Sequence, residues 1–355
     1  MIRKTILSVI LFFVAISLFS YDIEQVSVTF IDTSRNNREI PTQIFIPTGN
    51  ESRFDTGQRE DMFPFIVFGH GWLSSYSTYQ SVWEALVPLG WIIAFPTTEG
   101  GLFPNHQNFA QDLAFLSYAI PVENENPNSP LFEQVKPLSI VMGHSMGGGC
   151  SIMAASYENN FVAMVTLAAA STTAALNAAS ETLLPSLTFS GTSDWITPPE
   201  TNQIPLYNNL SSIYKAYISF NEVNHSGIYN NDSVFALIDK WLNYFASDDS
   251  SFITEMEYML NSLENNAILT FLLEYTLQTP QELHIEIEGE SLIISWQRVL
   301  FTDLFIVEVS DSVDGEFIDI STGQGEFTEY ENRVSWTTNL DDNESLLLFR
   351  VRSIR

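Results

Sequence analysis

A serine that could act as a nucleophile lies at position 145, in the stretch VMGHSMGGGC of residues 141–150. The pentapeptide GHSMG at 143–147 fits the pattern G-x-S-x-G. An apolar run precedes it at 138–142, and small, helix-compatible residues follow it at 148–155. A strand, a sharp turn and a helix form the setting in which this pattern exposes a catalytic serine. The glycines are needed because only small neighbours let the helix pack so close to the strand. The stretch therefore predicts attack by Ser145 on a carbonyl carbon.

A serine hydroxyl becomes a useful nucleophile only beside a base, and that base needs an acid to orient it. With this motif the acid and then the histidine follow the serine along the chain. Of the five histidines, His70, His106 and His144 precede the serine, and His284 lies in a C-terminal region of different texture. His225 remains, in NEVNHSGIY after the predicted strand KAYISF. It is the predicted general base, at the carboxyl end of a strand, where open α/β sheets place their sites.

The acid is expected at the end of a strand between the serine and the histidine. The segment PSLTFSGTSDWITPPE supplies Asp194 directly after a strand and a glycine turn. Glu200 follows two prolines and resembles the start of a helix. Glu222 is too close to His225 in sequence to be delivered from another strand. Asp194 is therefore the predicted acid, with Glu200 as its competitor.

Two backbone N–H groups are expected to stabilise the oxyanion of a tetrahedral intermediate. One is predicted to be that of Met146, next to the nucleophile. The other is that of Trp72, in the loop VFGHGWLSS after an earlier strand. Gly71 permits a tight backbone path in this loop. His70 is expected to brace the loop beside the substrate pocket, and a role for His70 as a second base is the alternative.

Strands and helices alternate between residues 23 and 246 and must position these groups. Seven segments are predicted as strands, at 40–47, 63–71, 91–97, 138–144, 162–170, 185–194 and 215–225. Helices are predicted at 77–89, 108–119 and 233–245. Apolar strands separated by helices favour a mostly parallel sheet that is covered on both faces.

The chain divides into four predicted segments. Residues 1–20 have the pattern of a secretory signal peptide, and residues 21–248 form the α/β domain. Residues 249–279 are predicted as a helical linker, because 252–277 carry apolar residues at helical spacing without glycine or proline. Residues 280–355 are short alternating strands separated by polar turns, which predicts an all-β sandwich.

The composition of the chain disfavours some classes of binding partner and indicates the compartment in which the protein works. The formal charge of −29, from 43 acidic against 14 basic residues, disfavours nucleic acid and anionic membranes as partners. Arg3 and Lys4 before the apolar stretch 6–19 predict export with removal of the signal peptide, and an uncleaved membrane anchor is the alternative. Cys150 is the single cysteine, so no intramolecular disulfide can form, which favours a bacterial periplasm or medium. A mature protein without a membrane span is expected.

No metal-binding or phosphate-binding motif is present in the sequence, so neither a metal nor a cofactor is expected.

Residues from about 40 to 246 resemble an α/β-hydrolase of the group that includes bacterial cutinases, PET hydrolases, dienelactone hydrolases and chlorophyllase-like enzymes. GHSMGGG is similar to the cutinase-type serine turn, and HGW stands where the oxyanion loop of that group lies. SGTSDWITPP and NEVNHSGIY stand at the acid and histidine loops. The resemblance implies hydrolysis of a small or polymeric carboxylic ester by Ser145, Asp194 and His225 through an acyl-enzyme.

The resemblance also implies a substrate pocket, with Ile196 in its wall. Polyester-degrading members carry a tryptophan shortly after the strand that follows the serine helix, and an ungapped comparison puts Ala170 there. Short-chain or modestly bulky esters are therefore the expected substrates. Trp72 and Trp195 offer other aromatic surface, so polyester hydrolysis stays open. A non-catalytic envelope or adhesion protein on a hydrolase scaffold is the alternative of a different class.

Residues 280–355 resemble a fibronectin type III-like module. We expect it to fold by itself and to bind a surface or another protein, which would raise the local substrate concentration. Two sets of alternating apolar residues are predicted to face its core: Leu292, Ile294 and Trp296, and Phe305, Val307 and Val309.

Overall fold

The structure is a computed structural model of the chain. It describes residues 21–49, 62–212, 214–247, 268–275, 281–288, 291–297, 304–310, 318–320, 325–330, 333–339 and 348–354. The predicted signal peptide at 1–20 and residues 249–267 and 276–279 of the predicted linker lie outside the described residues.

Nine strands form the larger sheet. They are β1 (Asp22–Asp32), β2 (Arg38–Thr48), β3 (Phe63–Gly69), β4 (Ile92–Pro96), β5 (Val135–His144), β6 (Phe161–Leu167), β7 (Ser186–Gly191), β8 (Tyr214–Phe220) and β9 (Ile268–Tyr275). Their spatial order is β1-β2-β4-β3-β5-β6-β7-β8-β9. The six strands from β3 to β8 are mutually parallel, while β1, β2 and β9 pair antiparallel. This confirms the predicted mostly parallel sheet.

Helices cover both faces of this sheet. They are α1 (Gln80–Leu86), α2 (His106–Glu123), α3 (Met146–Ser156), α4 (Thr173–Ala179), α5 (Gln203–Asn209) and α6 (Asp232–Ser247). Alternate residues of β3 enter two different cores: Ile66 and Phe68 pack with α1 and α6, and Phe65 and Val67 pack with α2 and α3. A strand buried on both sides must be apolar throughout, as the sequence of β3 is. Within the described ranges, no helix is both long and apolar enough to cross a bilayer.

Residues 268–275 form a strand, so the predicted helical linker over 249–279 is wrong at this point. β9 pairs antiparallel with β8 from Tyr214 opposite Tyr275 to Phe220 opposite Ile268. The sequence ILTFLLEY is nearly apolar throughout, and such a run is compatible with a helix as well as a strand. The backbone N–H and C=O groups at the edge of β8 need hydrogen-bond partners, and residues 268–275 provide them by forming a strand. The large sheet therefore extends beyond the predicted domain boundary at 248.

The C-terminal strands form two smaller antiparallel sheets. They are β10 (Gln281–Glu288), β11 (Ser291–Gln297), β12 (Leu304–Ser310), β13 (Ile318–Asp319), β14 (Gly325–Tyr330), β15 (Arg333–Asn339) and β16 (Leu348–Ile354). The four-stranded sheet has the order β10-β11-β15-β14, and the three-stranded sheet β13-β12-β16.

One apolar core is shared by the two small sheets, as in a sandwich. It contains Leu292, Ile294, Trp296, Val334 and Trp336 from the first sheet and Phe305, Val307 and Val351 from the second. Val309 is only half-buried, so its assignment to the core is wrong. The neighbouring Glu308 is buried and pairs with Arg350, with Oε2 and Nε 2.5 Å apart. The likeness to a fibronectin type III-like module stays a prediction.

Candidate active site

The turn between β5 and α3 holds Ser145 in a strained backbone conformation. Its φ is 55° and its ψ is −121°, a region that residues with a β-carbon rarely occupy. A β-carbon on Gly143 would collide with the backbone of Gly147, and one on Gly147 would collide with the backbone of Gly69. The N–H of Ser145 donates to the carbonyl of Leu167 over 3.0 Å. These close contacts hold the serine at the carboxyl end of β5.

Left-handed backbone conformations recur in the loops around this turn. Five non-glycine residues with positive φ follow parallel strands: Leu73 after β3, Glu99 after β4, Ser145 after β5, Ala168 after β6 and Glu222 after β8. Each such conformation is unfavourable and persists only where the surrounding structure imposes it. The strained positions therefore point to the carboxyl edge of the parallel strands as the functional edge.

Asp194 and His225 are joined by a hydrogen bond at this edge. Nδ1 of His225 lies 2.7 Å from Oδ2 of Asp194, and 12% of the histidine side chain and none of the aspartate side chain is exposed. Burial by itself raises the pKa of Asp194, but the hydrogen bonds from His225 and Thr197 outweigh it and lower that pKa below its ordinary value. The ionised carboxylate favours a proton on Nδ1, so Nε2 is left as the basic nitrogen. The competing carboxylates of Glu200 and Glu222 are exposed.

Thr197 belongs to this cluster, although it is not among the site residues predicted from the sequence. Its backbone N–H donates to Oδ1 of Asp194 over 2.9 Å, and its hydroxyl lies 2.8 Å from Oδ2. The same hydroxyl lies 3.0 Å from the carbonyl of Ala168 and 3.1 Å from Nδ1 of His225. The N–H of Ile196 also donates to Asp194. An aspartate that accepts N–H groups from the residues two and three positions later forms a known type of turn. The spacing in DWIT was thus an available signal for Thr197.

The loop after β3 passes beside the serine turn. A β-carbon placed on Gly71 would lie 3.5 Å from the Cβ of Ser145. Trp72 follows, and its indole N–H donates to the carbonyl of Leu102 over 3.2 Å. Met146 is the first residue of α3, so its backbone N–H has no acceptor within the helix. The structure thus brings the segments that carry both predicted oxyanion donors to the serine turn.

His70 lies inside this loop, which corrects its assignment to the substrate pocket. Only 1% of the residue is exposed, and its ring contacts Phe109 with the centroids 4.6 Å apart. Nδ1 lies 2.9 Å from the carbonyl oxygen of Gly71, and Nε2 lies 2.9 Å from that of Thr98. Both ring nitrogens are therefore engaged by backbone, and the ring braces the loop.

Large exposed apolar side chains lie on the loops after β3, β4 and β7. Trp195 and Ile196 come directly after Asp194 and are 81% and 53% exposed, and Trp72, Leu102 and Phe103 are exposed on neighbouring loops. We call these five residues the apolar rim. Ala170 is half-buried, and its N–H donates to the carbonyl of Ser145 over 2.8 Å, so a small side chain lies beside the serine turn.

The sheet order, the serine turn and the loops after β7 and β8 define an α/β-hydrolase fold. A family model described as PET hydrolase-like matches residues 43–265, which is more than half of the 355-residue chain. The chain therefore belongs to the PET hydrolase-like family, whose members hydrolyse esters. No curated protein matches the chain.

Proposed function

We propose that this protein is a serine carboxylesterase that hydrolyses short-chain or modestly bulky esters through an acyl-enzyme. The observation that supports it most is the 2.7 Å hydrogen bond between Nδ1 of His225 and Oδ2 of Asp194. This pair lies at the sheet edge where Ser145 occupies its strained turn. Membership of the PET hydrolase-like family supports ester hydrolysis as the reaction.

His225 moves the protons in the proposed reaction. Its Nε2 takes the proton of the Ser145 hydroxyl as Oγ bonds to the ester carbonyl carbon, and the carbonyl oxygen becomes an oxyanion. The imidazolium then gives that proton to the departing alkoxide as the ester C–O bond breaks. Water repeats the sequence on the acyl-enzyme and releases the carboxylic acid. Asp194 keeps Nδ1 protonated throughout and stabilises the imidazolium.

The N–H groups of Trp72 and Met146 are the proposed donors to the oxyanion. The N–H of Met146 lies at the N-terminus of α3, where the helix dipole also favours negative charge. Donors that are fixed before the reaction need no reorganisation as charge develops, and removal of one such donor typically costs about 10²- to 10³-fold in kcat.

Hydrolysis of p-nitrophenyl acetate and butyrate tests the proposal. We expect Ser145→Ala and His225→Ala each to lower kcat by at least about 10⁴-fold, and the double variant to be scarcely slower, because these residues act as one unit. Circular dichroism checks that both variants fold. A wild-type protein that hydrolyses neither ester, or a Ser145→Ala variant with normal turnover, would contradict the proposal and favour a non-catalytic scaffold.

Polyester hydrolysis is the second candidate, and the apolar rim supports it. Exposed apolar clusters beside a site are typical of surfaces that bind apolar partners, and Phe103 is 95% exposed. Ala170 disfavours an aromatic clamp for a terephthalate ring, because its side chain is a single methyl group beside the serine turn. We therefore place soluble esters first and expect weak activity on amorphous PET film.

Product release from PET film, compared with a soluble short-chain ester per active site, separates the two candidates. Faster release from the film would reverse their order. The variant Ala170→Trp adds an aromatic face beside the turn and should raise film activity by about tenfold, which is the low end of the effect of a pocket contact. An Ala170→Trp variant without any gain on film would show that missing aromatic surface at this position is not the obstacle.

We also propose that the protein is exported. The support is the basic and apolar pattern of residues 1–20. Expression of the full chain in a bacterium and mass measurement of the product tests it, because a cleaved signal peptide shortens the protein near residue 20. A full-length product retained in the cell membrane would favour the uncleaved anchor.

A further inference from the structure

A chain of hydrogen bonds runs from the loop after β3 to the loop after β8. The N–H of Gly71 donates to Oη of Tyr79 over 2.7 Å. Oη of Tyr79 lies 3.1 Å from Nδ1 of His144, and Nε2 of His144 lies 3.1 Å from the carbonyl oxygen of His225. We call this set the Gly71–Tyr79–His144–His225 chain. Both side chains in its middle are buried.

One arrangement of protons satisfies every member of the chain. Tyr79 accepts from Gly71 and has a single proton of its own, which it donates to Nδ1 of His144. His144 then carries its proton on Nε2 and donates it to the carbonyl of His225, an oxygen that can only accept. The opposite tautomer would set an unprotonated Nε2 against that carbonyl oxygen. The hydrogen-bond partners therefore assign the Nε2–H tautomer.

Burial keeps both groups in these neutral forms. It lowers the pKa of His144 to about 3, and the neighbouring His225 lowers it as well. Burial also raises the pKa of Tyr79, although the Gly71 N–H and the Ser74 hydroxyl lower it. The direction of each hydrogen bond is thus constant over the pH range in which an esterase works.

Aromatic packing holds the two rings of the chain in place. The ring of Tyr229 meets His144 edge-on at 4.6 Å and Tyr79 at 5.0 Å between centroids. The rings of His144 and His225 are 4.5 Å apart. Rings confined on several sides have few alternative rotamers, so their hydrogen bonds are preorganised.

The chain joins the three segments on which the proposed reaction depends. Gly71 precedes Trp72, the proposed oxyanion donor, and its peptide plane is fixed by Tyr79. His144 is bonded covalently to Ser145. His225 is the proposed base, and its backbone is held by His144.

We propose that Tyr79 and His144 are positioning residues, which set the oxyanion loop and the base relative to the serine. This inference rests on the proposed esterase function and deepens it.

The variant Tyr79→Phe removes one oxygen atom and cuts the chain. We expect kcat for p-nitrophenyl butyrate to fall by about 10- to 100-fold, since a small misplacement of reacting groups costs that much. KM should change by less than about threefold, because the ester-binding surface is untouched. Tyr217→Phe is the matched control: it also removes a buried hydroxyl in the same domain, one that lies 2.7 Å from Oγ of Ser190.

Two variants of His144 test the same idea without relying on Tyr79. Glutamine retains one acceptor and one donor on a flexible chain, whereas phenylalanine retains the ring shape and neither polar atom. We expect His144→Gln to keep at least about tenfold more kcat than His144→Phe. A merely structural role of the ring would reverse this order, because phenylalanine fills the space better. This pair also decides the matter if Tyr79→Phe does not fold.

All variants are assayed well below their melting temperatures, after wild-type activity and its loss in Ser145→Ala have been established. Failure of that first step refutes the proposed function. An active wild-type enzyme with Tyr79→Phe within about twofold of Tyr217→Phe in kcat overturns the positioning role alone. Equal kcat for the two His144 variants overturns it as well.

Discussion

Strands β3 and β11 show how differently the two parts of the molecule use β-structure. All seven residues of β3, Phe63–Gly69, are buried. Along β11, buried and half-buried residues alternate from Ser291 to Trp296. A parallel sheet between two helical layers has no exposed face, whereas each sheet of a sandwich has one. The burial pattern along a single strand therefore reports the architecture around it.

Strand direction explains why the proposed chemistry lies in only one of these parts. The carboxyl ends of parallel strands meet at one edge of a sheet, so the loops after β3, β5, β7 and β8 converge there. Neighbouring antiparallel strands end at opposite edges, so consecutive loops of the small sheets are separated. Three of the converging loops carry Ser145, Asp194 and His225, so the residues of the proposed reaction all lie in the parallel region.

The largest effect should come from Asp194→Asn. An amide cannot accept the Nδ1 proton in the same way, so His225 takes the wrong tautomer and kcat for p-nitrophenyl butyrate should fall by about 10⁴-fold. The exposed Glu200 is the matched control, and Glu200→Gln should stay close to wild type. A nearly normal rate for Asp194→Asn together with a large loss for Glu200→Gln would exchange the two assignments.

Two truncations should have smaller and unequal effects. A chain ending at residue 279 keeps β9, and its kcat/KM for a soluble ester should stay within about twofold of the full chain. A chain ending at residue 248 loses β9 and exposes the edge of β8, all of whose residues are buried. Its melting temperature should be lower by roughly 5–10 °C.

Equal melting temperatures of the two truncated chains would show that β9 adds nothing to the large sheet. An inactive chain ending at 279 would show that the catalytic region depends on the C-terminal sheets. The idea that those sheets serve only to bind a surface or another protein would then have to be dropped.

The smallest expected effect concerns pH. The folded pKa of Asp194 is lowered, so its carboxylate contributes stability above the unfolded pKa of about 3.9 and loses it as pH falls through the folded value. Urea unfolding of wild type and Asp194→Asn should show a free-energy difference that narrows between about pH 5 and about pH 3. A difference that is constant over this range would mean that ionisation of Asp194 does not stabilise the fold.

The apolar pattern was sufficient to predict the secondary structure where the length and the flanking turns allow only a strand, and it failed at β9. The apolar run of β3 and the mostly apolar run at 138–142 in β5 lie between turns and are too short for helices, and both are strands in the structure. ILTFLLEY has no such boundary, and its pairing with β8 depends on partner residues about 50 to 60 positions earlier in the chain. Local pattern cannot supply that information, because backbone pairing over such a distance is a tertiary contact.

The site also contains residues that the sequence could identify and residues that only the structure could identify. His225 could be selected by elimination and chain order, and Asp194 by its place after a strand. Tyr79 and His144 could not, because a tyrosine in a helical stretch and a histidine inside a serine motif have no distinguishing local signal. Their significance arises from hydrogen bonds between residues that are 65 and 81 positions apart in the sequence.

The amino-acid sequence by itself determined the class of fold, the strained serine turn and the order of the proposed catalytic residues, because these depend on local apolar patterns, on glycine and on linear order. Only the tertiary structure decided that 268–275 completes the large sheet, that both ring nitrogens of His70 meet backbone carbonyls and that Tyr79 and His144 connect three loops. Each of these three features depends on which partner a polar group finds for its hydrogen bond. That choice is made when distant segments pack together, since an unpaired buried polar group is too costly to remain.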